Sequence, residues 1–354
     1  MIVEFTVAAS LAVTVLGLLL LEPFLRWQGA DGMLLSEALT YGRIVLLGTA
    51  GFALQYAFQL FLITSGNAVR AFVYTLAAGI TNIALDALLM LGFGMGVEGA
   101  AIGTVAAQTV GAVLPLAHYV SRKKRQSLLF YFRWTRIEWK PVWQAAFNGI
   151  SEMIENLSES LIGLLYNLEL MRIYGELGVD AYGSLMYVQM IFTLIFVGYN
   201  ESVIPLIAYQ YGARNRKELR SLYLRSLAIT GAFSLLFFGI SELIAVPVSA
   251  LFSDGNAEMA ALTVRGFRIG SFSLIAMGAA MFIPAMFTAL NNGLVSGILT
   301  IFEMLAFPAF FVMIMAPTLG MDGIWHSLNA TWILSLLVCA VAVWIMRKRY
   351  DFLK

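Results

Sequence analysis

The chain has 354 residues, 60% apolar and only 12% charged, with a formal net charge of +1. Soluble domains carry about 25% charged residues, so the composition excludes an ordinary soluble fold and predicts an all-α polytopic membrane protein. One cysteine, Cys339, and two distant histidines, His118 and His326, exclude a disulfide framework and a cysteine or histidine metal centre.

A membrane span needs about 20 mostly apolar residues. Ten such segments are predicted, at 3–27, 39–64, 68–93, 96–121, 141–171, 179–211, 217–251, 262–289, 292–317 and 320–346. They are separated by turn chemistry such as Ser65-Gly66-Asn67, Gly92-Phe93-Gly94, Asp254-Gly255-Asn256 and Asn291-Asn292-Gly293. Pro205, Pro284 and Pro308 inside these segments predict kinks and freed carbonyls. No basic n-region precedes the first apolar run, so no cleavable signal is predicted. Lys and Arg gather in 122–140, 212–220 and the C-terminal tail. With ten alternating spans these segments share one side, which predicts both termini in the cytoplasm.

The basic segment 122–140 divides the chain into an N-terminal lobe at 1–121, with four spans, and a C-terminal lobe at 141–354, with six and a short basic tail. The lobes read as a tandem repeat. Ala38-Leu39-Thr40 with Arg43 echoes Ala261-Leu262-Thr263 with Arg268, and Met95-Gly96-Val97-Glu98-Gly99 echoes Leu319-Gly320-Met321-Asp322-Gly323. Tandem repeats with substrate handled between the halves are one transporter layout. Three spans precede the repeated Ala-Leu-Thr in the second lobe and one in the first. The repeat therefore predicts twelve spans, of which ten are in this chain; a fragment, an internal start and a truly short protein all remain open.

Two groups of residues carry the candidate chemistry. Asp86 stands alone in an apolar span, with Asn82 one turn earlier on the same face and Thr104 on the next span. An intramembrane carboxylate is a functional hypothesis by default, and an acid, an amide and a hydroxyl suit a proton or small cation. In the span 141–171, Glu152, Glu155, Glu159 and Glu169 fall within an arc of about 100°, flanked by Asn156 and Asn167. Such a stripe belongs against a cavity or a partner helix, where it suits proton exchange or attraction of cationic substrates. Glu169 is read instead as an interfacial partner of Arg172. Glu201, Arg268 and Glu303 are further intramembrane charges, with Arg268 a neutralising partner for a glutamate. Seventeen methionines and many aromatic residues suit a pocket for flat apolar molecules. No nucleotide loop or zinc motif is present, so ATP-driven transport in cis and soluble-type enzyme chemistry are not expected.

Asn82-x-x-x-Asp86 followed by Met95-Gly96-x-x-Gly99-Ala100-Ala101 resembles the fifth and sixth helices of multidrug and toxic compound extrusion (MATE) transporters. The resemblance continues through Asn148-Gly149-Ile150-Ser151-Glu152, through Pro205 to Ala213, and through Phe267-Arg268-Ile269 with Phe287 to Gly293. It implies two pseudo-symmetric helical lobes that rock about a substrate path in a bacterial inner membrane. The implied activity is secondary export of organic cations or amphipathic drugs by a monomer, in exchange for protons or sodium, without cofactor or nucleic acid. Asn82, Asp86 and Thr104 match the family's cation site in the first lobe. Glu152 matches an acid of its seventh helix, whereas Glu155, Glu159 and Glu201 depart from the pattern. The alternatives are a lipid-linked saccharide flippase of the same superfamily, for which a cationic cavity is expected, and a truncated, non-transporting remnant.

Overall fold

A computed structural model describes residues 2–27, 31–121, 138–253 and 255–350, without the side chains of residues 121, 141, 145, 148, 151 and 152. Those residues are almost entirely helical. The order is α1 (Ile2–Trp27), α2 (Gly32–Leu47), α3 (Thr49–Thr64), α4 (Ala68–Asp86), a π-helical turn (Ala87–Gly92) and α5 (Gly96–Ser121). Then come α6 (Trp139–Asn148), α7 (Ile150–Tyr174), α8 (Glu176–Gly212), α9 (Arg216–Phe252), α10 (Ala257–Gly270) and α11 (Ser273–Ala289). The chain closes with α12 (Gly293–Ile301), a second π-helical turn (Phe302–Ala306), α13 (Phe307–Leu319) and α14 (Met321–Met346).

The ten expected segments are all helical among the described residues; three are broken into two helices and two more contain a π-helical turn. Among the described residues, seven helices are long and apolar enough to cross a membrane, and the bent pairs α2–α3 and α10–α11 bring the number to nine. The tenth segment is α6 with α7. Its glutamates and Arg172 lower its apolar character, although α7 is 25 residues long.

The chain divides into two compact units, Met1–Trp143 and Gln144–Lys354. The basic stretch expected at 122–140 falls largely on 122–137, outside the described residues. Within the first unit, α5 packs against α2, α3 and α4. Gly48 lies between α2 and α3, bent by 47°. A Cβ there would lie 2.6 Å from Val105 Cγ2 of α5, so glycine lets the bend sit on that helix. The carbonyl of Leu46 at the bend accepts from Thr14 Oγ1 at 2.9 Å and from Thr49 Oγ1 at 2.7 Å. Hydroxyls thus supply partners that water cannot supply inside a bilayer.

The second unit repeats this plan. Its α10–α11 pair bends by 52°. There the Ile269 carbonyl accepts from Asn329 Nδ2 at 2.8 Å, and the Gly270 carbonyl from Ser273 Oγ at 2.6 Å. Helices α5 and α14, 26 residues each, end the two copies. Helix α11 packs against α8, α9, α12 and α14, and 13 of its 17 residues are buried. A helix apolar all round belongs at the centre of a bundle, and α11 is the core of this unit. Trp325 closes one end of the core. It stacks on Tyr182 at 5.9 Å between ring centroids, and Tyr182 stacks on Tyr166 at 5.3 Å. Helices α7 and α8 have no counterpart among the described residues of the first unit.

The expected proline effects are local. Pro284 removes the donor that the Ala280 carbonyl would otherwise use, and Cys339 Sγ approaches that carbonyl at 3.8 Å. Pro308 stands at the start of α13, directly after the second π turn. It takes the i→i−4 bond from Met304, while Phe307 N–H reaches back to the Phe302 carbonyl.

Candidate cation and substrate sites

In the first unit the site is carried by α4 and α5. Asn82 and Asp86 lie one turn apart and are half-buried, as is Thr104 on α5. Asp86 is the last residue of α4, where the helix widens into the π turn. The widening runs into Gly92-Phe93-Gly94, and Phe93 N–H bonds the Leu88 carbonyl at 3.0 Å, five residues back. Such turns often occur at functional positions. Asp86 is pressed against Gly103, the neighbour of Thr104. A Cβ at Gly103 would lie 2.1 Å from Asp86 Oδ1. That oxygen is buried and has no hydrogen-bond partner among the described residues. A carboxylate oxygen shut away from donors carries a desolvation cost of a few kcal/mol, which a proton or cation would relieve.

The same unit gives His118 partners that sequence spacing did not reveal. Its Nε2 lies 3.2 Å from Arg70 Nη1 and its Nδ1 3.3 Å from the Tyr74 hydroxyl. Arg70 can only donate, so Nε2 accepts. The cluster joins α4 to the far end of α5 and is accounted for as helix packing.

In the second unit a partly open cavity of about 70 Å³ is lined by α7, α8, α11, α12 and the second π turn. Glu155 and Glu201 line it, with Asn200, Thr288, Thr300 and Glu303. Asn200 donates through Nδ2 to the Met281 carbonyl at 3.3 Å, and Thr288 shares a hydroxyl bond of 2.7 Å with Ser296. Of the other expected residues, Asn156 and Glu159 are exposed on α7 and are not among the lining residues. The side chain of Glu152 lies outside the description. Arg268 also stands apart from this cavity. It pairs with Glu242 of α9, because the last turn of α10 faces α9. Glu169 and Arg172 form the expected pair, at 2.9 Å.

Glu303 is the residue whose importance spacing understated. It is 3% exposed, the second residue of the π turn. The signal that singled out Asp86, one acid in an apolar run, was equally present in Ile298-Leu299-Thr300-Ile301-Phe302-Glu303-Met304-Leu305-Ala306.

Among the described residues, long apolar helices, paired bends and an acid at each π turn define a multi-pass membrane protein built as an internal repeat. The MatE family model matches residues 1–88 and 153–314, and the chain belongs to that family, whose members are transporters and not enzymes. It is 24% identical over 326 residues to the multidrug export protein MepA of Staphylococcus saprophyticus, spanning 91% of this chain and 70% of that protein. It is 24% identical over 354 residues to MepA of Staphylococcus aureus strain NCTC 8325, spanning 98% and 76%. Among solved structures it resembles the outward-facing conformation of a multidrug resistance MATE transporter of the MOP superfamily, with a TM-score of 0.88 at 24% identity over 99% of this chain and 78% of that one. A Pyrococcus furiosus transporter of the same superfamily, described as having a binding pocket of reversed polarity, also gives 0.88, at 23% identity over 99% and 78%.

Proposed function

We propose that this chain is a secondary exporter of organic cations and amphipathic drugs. It exchanges them for protons or sodium by alternating access across a bacterial inner membrane, with both termini in the cytoplasm. Asp86 carries the coupling charge, with Asn82 and Thr104 completing its oxygen shell. The observation that bears most weight is the buried Oδ1 of Asp86 against Gly103, without a hydrogen-bond partner among the described residues. Binding a cation there in one facing state and releasing it in the other shifts the equilibrium between states by the difference in affinity. Acids on α7 and Glu201 supply the negative potential that draws cationic substrates. The acidic lining also disfavours an anionic lipid-linked saccharide as cargo. Kinship with proteins named for multidrug export supports the cargo class.

The test is efflux of a fluorescent organic cation from inverted vesicles under imposed proton or sodium gradients. Asp86→Asn is expected to lower gradient-driven transport by about 100-fold, on the scale of losing a buried charge's partner, with normal amounts of folded protein. Undiminished transport in that variant would remove Asp86 from the mechanism.

A further inference from the structure

The end of the second unit where α8 turns into α9 is strongly basic, and the residues after α14 fold back onto it. The turn and the first residues of α9 carry Arg214, Arg216, Lys217 and Arg220, all exposed. Arg347, Lys348 and Arg349 follow α14 and are exposed too. Glu218 is the one acid in 212–220 and 347–350, in a chain whose net charge is only +1. Arg214, Lys217, Arg220, Arg347, Lys348 and Arg349 form no ion pair among the described residues.

Tyr350 joins the two stretches. It follows three exposed cations yet is itself 4% exposed, in one apolar cluster with Leu219, Phe287 and Leu290. Its hydroxyl accepts from Asn292 Nδ2 at 3.2 Å. Tyr211, near the end of α8, meets its ring edge-on at 6.1 Å between centroids. The N–H groups of Arg349 and Tyr350 both bond the Met346 carbonyl, so the tail leaves α14 in a tight turn. Arg347 lies over the Trp344 ring at 4.9 Å and Arg349 over the Tyr350 ring at 5.7 Å. Stacking of this kind uses the face of the guanidinium and leaves its N–H fork for an anion.

Topology alone explains why Lys and Arg stand at this end. It does not require a buried tyrosine that gathers the tail's cations beside those of 212–220. Like charges brought together repel, so the arrangement calls for an anion shared between them. Guanidinium groups fork onto phosphate oxygens, and four to eight Lys and Arg at the end of a membrane helix suit anionic headgroups. Three candidate spans, α8, α9 and α14, begin or end here, where lipid phosphate is already concentrated. Trp344, 61% exposed and just before Arg347, is of the residue type that stands at headgroup level.

We infer that this basic end of the second unit is a docking surface for anionic phospholipid headgroups, with Tyr350 as the pin that holds the C-terminal cations beside the α8–α9 turn. The inference goes beyond the transport reading and does not depend on cargo, coupling ion or direction.

The experiment places the full chain in nanodiscs of equal phosphatidylglycerol and phosphatidylcholine with matched acyl chains. Native mass spectrometry of the released protein then counts which lipid stays bound. The wild-type chain should retain phosphatidylglycerol over phosphatidylcholine by at least about tenfold, where one cation near an anionic surface is worth about fivefold. Release in about 1 M rather than about 0.1 M ammonium acetate should bring the two lipids close to parity, because the screening length falls from about 10 Å to about 3 Å. Arg347→Gln, Lys348→Gln and Arg349→Gln combined should lower the preference by at least about fivefold. Tyr350→Ala should lower it as well, although it removes no charge. The triple variant, confined to exposed residues, carries the test if Tyr350→Ala does not fold. Arg172→Gln removes a cation of α7 outside the patch and should leave the preference unchanged. Equal retention of the two lipids by the wild-type chain overturns the inference. So does a preference that survives the triple change, survives high salt, or falls as far in Arg172→Gln. A full preference in folded Tyr350→Ala overturns the role of Tyr350 as the pin.

Discussion

Helices α3 and α11 hold the same place in the two copies of the repeat, yet they are covered very differently. In α11 the buried side chains run all the way round, whereas in α3 only Phe58 and Leu62 are buried. The difference lies in what each unit adds to the shared plan. Helix α8 lies along α11, and α7 closes on α12 and α13, with no counterpart among the described residues of the first unit. Among the described residues, one pattern is packed on every side in α11 and on one side in α3. The acids follow the same division. Glu303 lies in a cavity walled by four other elements, while Asp86 is held between two helices, its Oδ1 against a glycine.

The sharpest way to break this comparison is in the cores. Phe282→Ala removes a ring with no exposure and should lower stability by about 3–5 kcal/mol. Phe52→Ala, on the exposed side of α3, should change stability by less than about 1 kcal/mol. Thermal unfolding of the two variants in detergent measures the gap, and equal losses would mean that α3 is covered as fully as α11. A smaller effect is expected at the acid of the first unit. Gly103→Ala drives a methyl group into Asp86 Oδ1 and should cost about 1–3 kcal/mol. Efflux should fall with it, even though the carboxylate is retained. Unchanged efflux would show that the contact does not hold Asp86 in its working position. The smallest effect is expected at Arg172→Ala. Its pair with Glu169 is 59% exposed on the arginine side, and such pairs contribute about 0–1 kcal/mol. A larger drop in the unfolding midpoint would mean that this end of α7 is buried against something.

Much of the fold was legible in the sequence because apolar length and turn chemistry are local signals. Segment ends at Asn67, Gly96 and Gly320 follow directly from them. The bends at Gly48 and Ser271 were not legible, since each depends on what packs across it: Val105 in one case, Asn329 in the other. The pairing of Glu169 with Arg172 could be read from helix spacing. The pairing of Arg268 with Glu242 could not, because spacing does not say how α10 is rotated toward α9. Asp86 was found by its isolation among apolar residues, and Glu303 was undervalued although it is isolated in the same way. What raises Glu303 is the convergence of α8, α11 and α12 around it, a long-range arrangement that one segment's sequence does not carry.

The burial of Cys339 has a practical consequence. It is the chain's one sulfhydryl, 1% exposed beneath the Ala280 carbonyl. In the folded protein a maleimide has no route to it, so the wild-type chain already serves as a cysteine-silent background for spectroscopic labels placed elsewhere. The same shielding makes the rate of Cys339 alkylation a clock for the opening of the second unit, readable in native membranes by mass spectrometry.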